Sequence, residues 1–192
     1  MTFVMKKLSY EEQISKKLKA EDYKKIARNP FYVLLDNIRS VHNVGAMFRT
    51  SDAALVEKLY LTGFTPHPPR EDLRKTALVT LDAVPWEYKK NPLEIINNLK
   101  KDGVKIVSLE IADNSQNYTD ILYDFPLCLI VGNELTGIRD EIIDLSDHVI
   151  HIPMLGRANS LNVATSYGIA LFEILRQTDE NRNEKNRNNI SK

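Results

Sequence analysis

The sequence predicts an α/β domain built on a mostly parallel sheet flanked by helices. Short apolar runs of strand length alternate with stretches of helical period along the chain. Two of these runs, Leu127 to Val131 and His148 to Met154, have the length and branched residues of buried strands, and each ends in a polar loop containing glycine. After the second loop Leu161, Ala164, Gly168, Leu171 and Leu175 recur at steps of three and four, a helix that needs an apolar surface beneath it. Ligands in open α/β sheets sit where such loops leave the carboxyl ends of strands. The stretch from Leu127 to Leu175 is therefore the organising part of the chain.

In chain order, residues 8–27 read as an amino-terminal helix opened by the capping-box pattern Ser9-Tyr10-Glu11-Glu12. Phe31 to Leu35 is a first buried strand. The polar loop from Asp36 leads into a helix with Asn43 as its N-cap and Arg49 about two turns in. Lys58 to Thr62 is a short second strand, and the proline-rich segment Thr65 to Arg70 is too stiff for a helix. An irregular region around Pro85-Trp86 leads to a helix over Pro92–Lys101, stopped by Asp102-Gly103. Val104 to Ile111 is another strand, and Ser160 is the expected N-cap of the last helix. These elements suggest a basic extension over 1–30, a single domain over 31–177 and a disordered polar tail over 178–192.

The 192 residues suffice for one domain with a real core, and 43% hydrophobic and 27% charged residues are ordinary for a globular protein. The one cysteine, Cys128, lies inside an apolar strand and reads as a small buried hydrophobe in a reducing compartment. With no apolar h-region at the amino terminus and no run approaching a membrane span, a cytoplasmic protein is expected, with no membrane association. Net charge is zero but uneven. Residues 1–30 hold eight Lys and Arg against four Asp and Glu, and residues 176–192 hold five against three, which leaves −6 on the body between them. Basic ends on an acidic body suit a polyanionic partner and equally suit solvated helices.

No G-x-G-x-x-G follows the first strand, and no phosphate-binding G-x-x-x-x-G-K-[ST] occurs anywhere. No His/Cys group has metal-ligand spacing, so no metal is expected, and the four scattered histidines support no hydrolytic triad.

Three stretches carry a specific likeness. Asn43-x-Gly45-x-x-x-Arg49, Gly132-Asn133-Glu134-x-x-Gly137, and Ile152-Pro153-Met154 with Ser160-Leu161-Asn162-Val163 stand in order at the ends of predicted strands. Together they resemble the three motifs of the SpoU/TrmH family of RNA ribose 2′-O-methyltransferases, in the SPOUT superfamily, over Phe31 to about Gln177. The resemblance implies a deep carboxy-terminal trefoil knot and S-adenosylmethionine bound among the knot loops. It also implies tRNA or rRNA as substrate and a homodimer paired through the knot region. Gly132, Ile152 and Leu161 match cofactor-contacting positions, with Met154 and Leu109 as neighbours. An apolar slot edged by backbone groups suits adenine, and glycine permits close approach of the chain.

Asn43, Arg49, Glu134, Ser160 and Asn162 match the family's conserved polar set, and Arg49 matches the residue given a catalytic role. A guanidinium stays protonated and has no acceptor. Arg49 is therefore read as a cation for the adjacent phosphate and for developing alkoxide charge. Asn162 and Ser160 would position ribose or cofactor, and Glu134 would order the loops rather than take the proton. One departure is Thr76-Ala77-Leu78-Val79-Thr80, where relatives often read T-A-L-G-A. Two rival readings are an RNA-binding or assembly factor of the same fold that has lost catalysis, and an ordinary doubly wound nucleotide enzyme, which the missing phosphate loop disfavours.

Overall fold

The computed structural model describes residues 6–16, 23 and 25–190. Among them, seven strands form one sheet: β1 (Asn29–Asp36), β2 (Val56–Thr62), β3 (Trp86–Lys89), β4 (Lys105–Leu109), β5 (Gln116–Asn117), β6 (Leu127–Val131) and β7 (His148–His151). Their order is β3-β2-β1-β6-β4-β7-β5, and every pairing is parallel. The helices are α1 (Tyr10–Ser15), α2 (Val41–Ala53), α3 (Glu71–Ala77), α4 (Thr80–Ala83), α5 (Pro92–Lys101), α6 (Asp140–Ile143) and α7 (Val163–Ile190).

Alternation along the central strands divides the core into two layers. Val33 and Leu35 of β1 and Leu127, Leu129 and Val131 of β6 pack with residues of α2, α3, α4 and α7. Leu34, Cys128 and Ile130 point the other way, with α5 and α6. All five residues of β6 are buried, which is why that strand reads as an unbroken apolar run. Burial also pushes the Cys128 thiol well up, as suits a small hydrophobe.

Several expectations shift. Ser9 and Glu12 form the capping box, but α1 spans six residues with none buried; positions 17–22 and 24 of the expected helix lie outside the described residues. The cap of α2 is Ser40, whose hydroxyl accepts from Asn43 N at 3.3 Å, so Asn43 sits inside the first turn with its side chain free for other work. The cap of α7 is Asn162, not Ser160: its Oδ1 accepts from Ala164 N at 2.9 Å and Thr165 N at 3.3 Å. The strand expected to reach Met154 ends at His151. Finally, α7 is helical through Ile190, well past the expected break at Thr178. Gln177 ties it down, accepting from Tyr123 N and donating to Ile121 O, both at 3.0 Å.

The direction in which successive strands are added to the sheet reverses between β1 and β6, although the two strands run parallel. The loop leaving β1 leads to α2 on one face, whereas the loop leaving β6 leads to α6 on the other. Such a switch opens a crevice at the carboxyl ends of the strands. Asp36, almost fully buried at the end of β1, accepts from both Nε and Nη2 of Arg139 at 3.1 Å, which pins the far side of the β6 loop across this gap.

Candidate active site

The site grows from the turn after β6. Asn133 N donates to Gly137 O at 3.1 Å and Gly137 N to Asn133 O at 2.9 Å, while Asn133 Oδ1 accepts from Leu135 N and Thr136 N. Its amide nitrogen donates to Asn37 O at 2.8 Å, joining the turn to β1. Gly132 has to be glycine. A Cβ there would lie 2.6 Å from backbone atoms of Gly137 and Ile138, which cannot yield as a flexible side chain would. Gly137 holds a positive φ of 69° beside Glu110, whose Oε2 accepts from Ile138 N at 2.8 Å. Gly132→Ala should therefore destabilise the protein by about 1–3 kcal/mol through forced backbone movement. Thermal melts with and without S-adenosylmethionine check this, since loss of the ligand-induced rise in Tm would locate the damage at the turn.

A polar chain runs outward from this turn. Glu134 Oε2 accepts from Arg39 N at 2.9 Å, and Oε1 accepts from Ser40 N at 3.2 Å and Asn43 Nδ2 at 2.8 Å. Asn43 Oδ1 accepts from Asn162 Nδ2 at 3.1 Å, and Asn162 Oδ1 caps α7. The three motifs thus meet in one directed series of donors and acceptors. Burial pushes the Glu134 carboxyl up, but the hydrogen bonds from Arg39, Asn43, its own backbone and Ser40 outweigh it and hold it below the usual glutamate range.

Beside this chain lies a cavity of about 520 Å³, open at the carboxyl ends of β4, β6 and β7 and bounded by the start of α7. Leu109, Gly132, Glu134, Ile152, Met154, Ser160, Leu161 and Asn162 all line it. Its size lies within the ~300–1,000 Å³ range of small-molecule sites. Neither Lys nor Arg lines it, while Glu110 and Glu134 do. That electrostatics suits a cationic or neutral ligand and leaves a pyrophosphate without a partner. Among the described residues no group of His, Cys, Asp or Glu gathers as a metal site.

Asn43 joins the site through Glu134 and Asn162, but Arg49 does not. It is exposed on α2 and makes no ion pair among the described residues. Six residues at ~100° each turn it roughly 240° around the helix from Asn43. The glycine of the first motif serves packing, because a Cβ on Gly45 would lie 2.2 Å from Thr76 Oγ1 on α3. Thr76 begins the stretch that departs from T-A-L-G-A; there Leu78 takes a positive φ of 57° between α3 and α4, and Val79 is exposed.

The profile of the SpoU rRNA Methylase family matches residues 30–172. The chain belongs to that family. It is 36% identical over 151 residues to a tRNA (guanosine(18)-2′-O)-methyltransferase of Aquifex aeolicus, covering 77% of this chain and 70% of the relative. A crystal structure of the A. aeolicus TrmH/SpoU tRNA-modifying enzyme superposes with a TM-score of 0.75 at 32% identity over 84% of each chain. An AdoMet-bound rRNA methyltransferase from Sinorhizobium meliloti superposes with a TM-score of 0.71 at 30% identity, over 80% of this chain and 59% of that one. The chain thus spans 70% of the curated A. aeolicus relative, 84% of the A. aeolicus crystal structure and 59% of the S. meliloti one. SpoU membership carries with it the expectation of the knotted threading after β6. Glu110, Asn37 and Arg139, which help build the SpoU site's frame, escaped the sequence reading, and Asn133 was read as a motif position without a role; the Asp36-Asn37 pair at a strand end was the available turn signal.

Proposed function

We propose that the protein methylates a ribose 2′-hydroxyl of tRNA or rRNA, with S-adenosylmethionine as methyl donor. The observation that carries this reading is the cation-free cavity beside the Glu134–Asn43–Asn162 chain. Gly132 and Leu161 would hold the cofactor against Leu109, Ile152 and Met154, with backbone groups meeting the adenine edge. The bound cofactor supplies an electrophilic methyl group on a sulfonium. Two carboxylates and no cation around the cavity favour that positive charge.

Asn43 and Asn162 are fixed by their mutual hydrogen bond and position the ribose or the cofactor, with Ser160 on the cavity wall beside them. Glu134 holds the loops. Both its oxygens already accept donors and its carboxyl is depressed, which makes it a poor proton acceptor. A 2′-hydroxyl attacking a methyl group develops negative charge next to a phosphate, and a site with no Lys or Arg of its own needs a cation there. Arg49 is that cation, supplied by the partner in a homodimer. Its exposure on the face of α2 turned away from Asn43 supports this. The apolar surface available for pairing on α7 is narrower than its sequence suggests. Leu171 is fully buried, and Ala164 and Leu175 pack on the core, which leaves Leu161 and Phe172 at 38% and 48% exposure. We read the dimer as cytoplasmic, with the lone cysteine buried and unpaired.

Calorimetry against S-adenosylmethionine and NAD should show binding of the first alone; binding of NAD alone would overturn the assignment. Mass-spectrometric mapping of 2′-O-methyl groups in cellular RNA, with and without the gene, should reveal one or more sites that depend on it.

A further inference from the structure

The turn that follows β2 holds an exposed phenylalanine on a rigid base. Gly63 takes a positive φ of 63°, its N–H donates to Lys90 O at 3.2 Å, and its carbonyl accepts from Tyr88 OH at 2.8 Å. Phe64 N donates to Asn37 Oδ1 at 3.2 Å. Thr65 is buried, with Oγ1 donating to Leu35 O and accepting from Ile38 N, both at 3.0 Å. The ring of His67 stacks on Tyr88 with centroids 3.8 Å apart. The backbone on both sides of Phe64 is thus fixed, yet its side chain is left 61% exposed. A singly exposed apolar residue is ordinary. This one is set apart by its place and its neighbours.

A continuous row of hydrogen bonds links Lys90 to Gly63, Phe64 to Asn37, and Asn37 to Asn133 in the turn behind Gly132. Strands lie ~4.8 Å apart, so two steps from β6 through β1 to β2 put Phe64 roughly 10 Å from that turn. This corresponds to about three stacked nucleotides at ~3.4 Å each, fewer if the strand is extended. Arg39 and Lys90, both exposed and without an ion pair among the described residues, sit on the same edge on either side of the aromatic. An exposed aromatic ring between two cations is what a single nucleic-acid strand needs: a face for a base and charge for the phosphates beside it.

We propose that Phe64 is a stacking platform for an unpaired base of the RNA flanking the target nucleotide, with Arg39 and Lys90 holding the adjacent phosphates. The proposal rests on the RNA reading above and adds where the strand runs, from the cavity across β1 and β2 toward β3.

The test uses the full chain and a mixed-sequence single-stranded RNA, because stacking is tolerant of sequence. Phe64→Ala should weaken RNA binding about tenfold. It should leave S-adenosylmethionine affinity and the salt slope unchanged, since no phosphate contact is lost. Phe64→Trp should restore affinity, and the fluorescence of the introduced indole should fall when RNA is added, while the wild type, whose only tryptophan is Trp86, keeps its signal. Unchanged affinity in Phe64→Ala with an unquenched indole in Phe64→Trp would overturn the platform and assign this face to another partner. Should the alanine variant fail to fold, indole quenching decides alone. A wild type that binds neither RNA nor S-adenosylmethionine would instead sink the methyltransferase reading.

Discussion

Arg49→Ala and Asn162→Ala, each expected to fall to about a hundredth of wild-type activity or less, should regain roughly a quarter of it when co-refolded. The helix that places Asn43 against Glu134 and Asn162 in its own chain turns Arg49 away from the cavity, and no Lys or Arg of the same chain lines that cavity. If the cation comes from the second copy, a mixed dimer contains one site with its own Asn162 and the partner's intact guanidinium, and one site lacking both. Random pairing makes about half the dimers mixed, each with one working site of two. Native mass spectrometry verifies the exchange. A mixture that exchanges fully and stays inactive places Arg49 in its own chain's site. Asn162→Ala also removes the cap of α7, a cost of about 1 kcal/mol that leaves a domain of this size folded.

What the sequence made legible follows from burial. β1, β6 and α5 were readable because a strand buried on both faces or a helix with a proper cap leaves a pattern that little else produces. β3 and β5 were not: one is a half-buried edge of four residues, the other only two, too short for any period. α3 and α4 bury Leu73, Ala77 and Leu81 in seven and four residues, and a stiff proline-rich neighbourhood hid them. Both misplaced caps have the same cause. Ser40 and Asn43, like Ser160 and Asn162, offer equivalent capping chemistry two or three residues apart, so local preference cannot choose between them. The choice is made by tertiary contacts: Glu134 claims the Asn43 side chain, and Asn43 claims the amide of Asn162. The same contacts assembled the candidate site, which is why motif order located it while the long-range bonds of its frame, between Glu110 and Ile138 N and between Asn133 and Asn37 O, stayed invisible.

Glu134→Gln should cost as much as Glu134→Ala, because the position must accept from three donors at once. Arg39 N, Ser40 N and the Asn43 amide all point at the carboxylate, and a glutamine would turn its own NH₂ toward one of them. Losing a hydrogen bond to a charged acceptor costs about 1.5–3 kcal/mol, so Tm should drop by roughly 4–8 °C and turnover about a hundredfold as Asn43 and Asn162 lose their geometry. The drop should depend on pH in a fixed sense. A carboxyl whose folded pKa is depressed contributes stability that is complete above its ordinary pKa of 4.5 and is lost as pH falls through the lower folded value. The Tm gap between wild type and Glu134→Gln should therefore be full at neutral pH and shrink well below pH 4.5. Activity distinguishes the loop-holding role from proton abstraction. A double-mutant cycle with Asn43 makes the distinction: if Glu134 acts by fixing the Asn43 side chain, Glu134→Gln and Asn43→Ala should each lower kcat about a hundredfold and the double variant should lose little more than either alone. If Glu134 took the 2′-hydroxyl proton, its loss would add to that of Asn43→Ala, and such additivity would return Glu134 to the role of base.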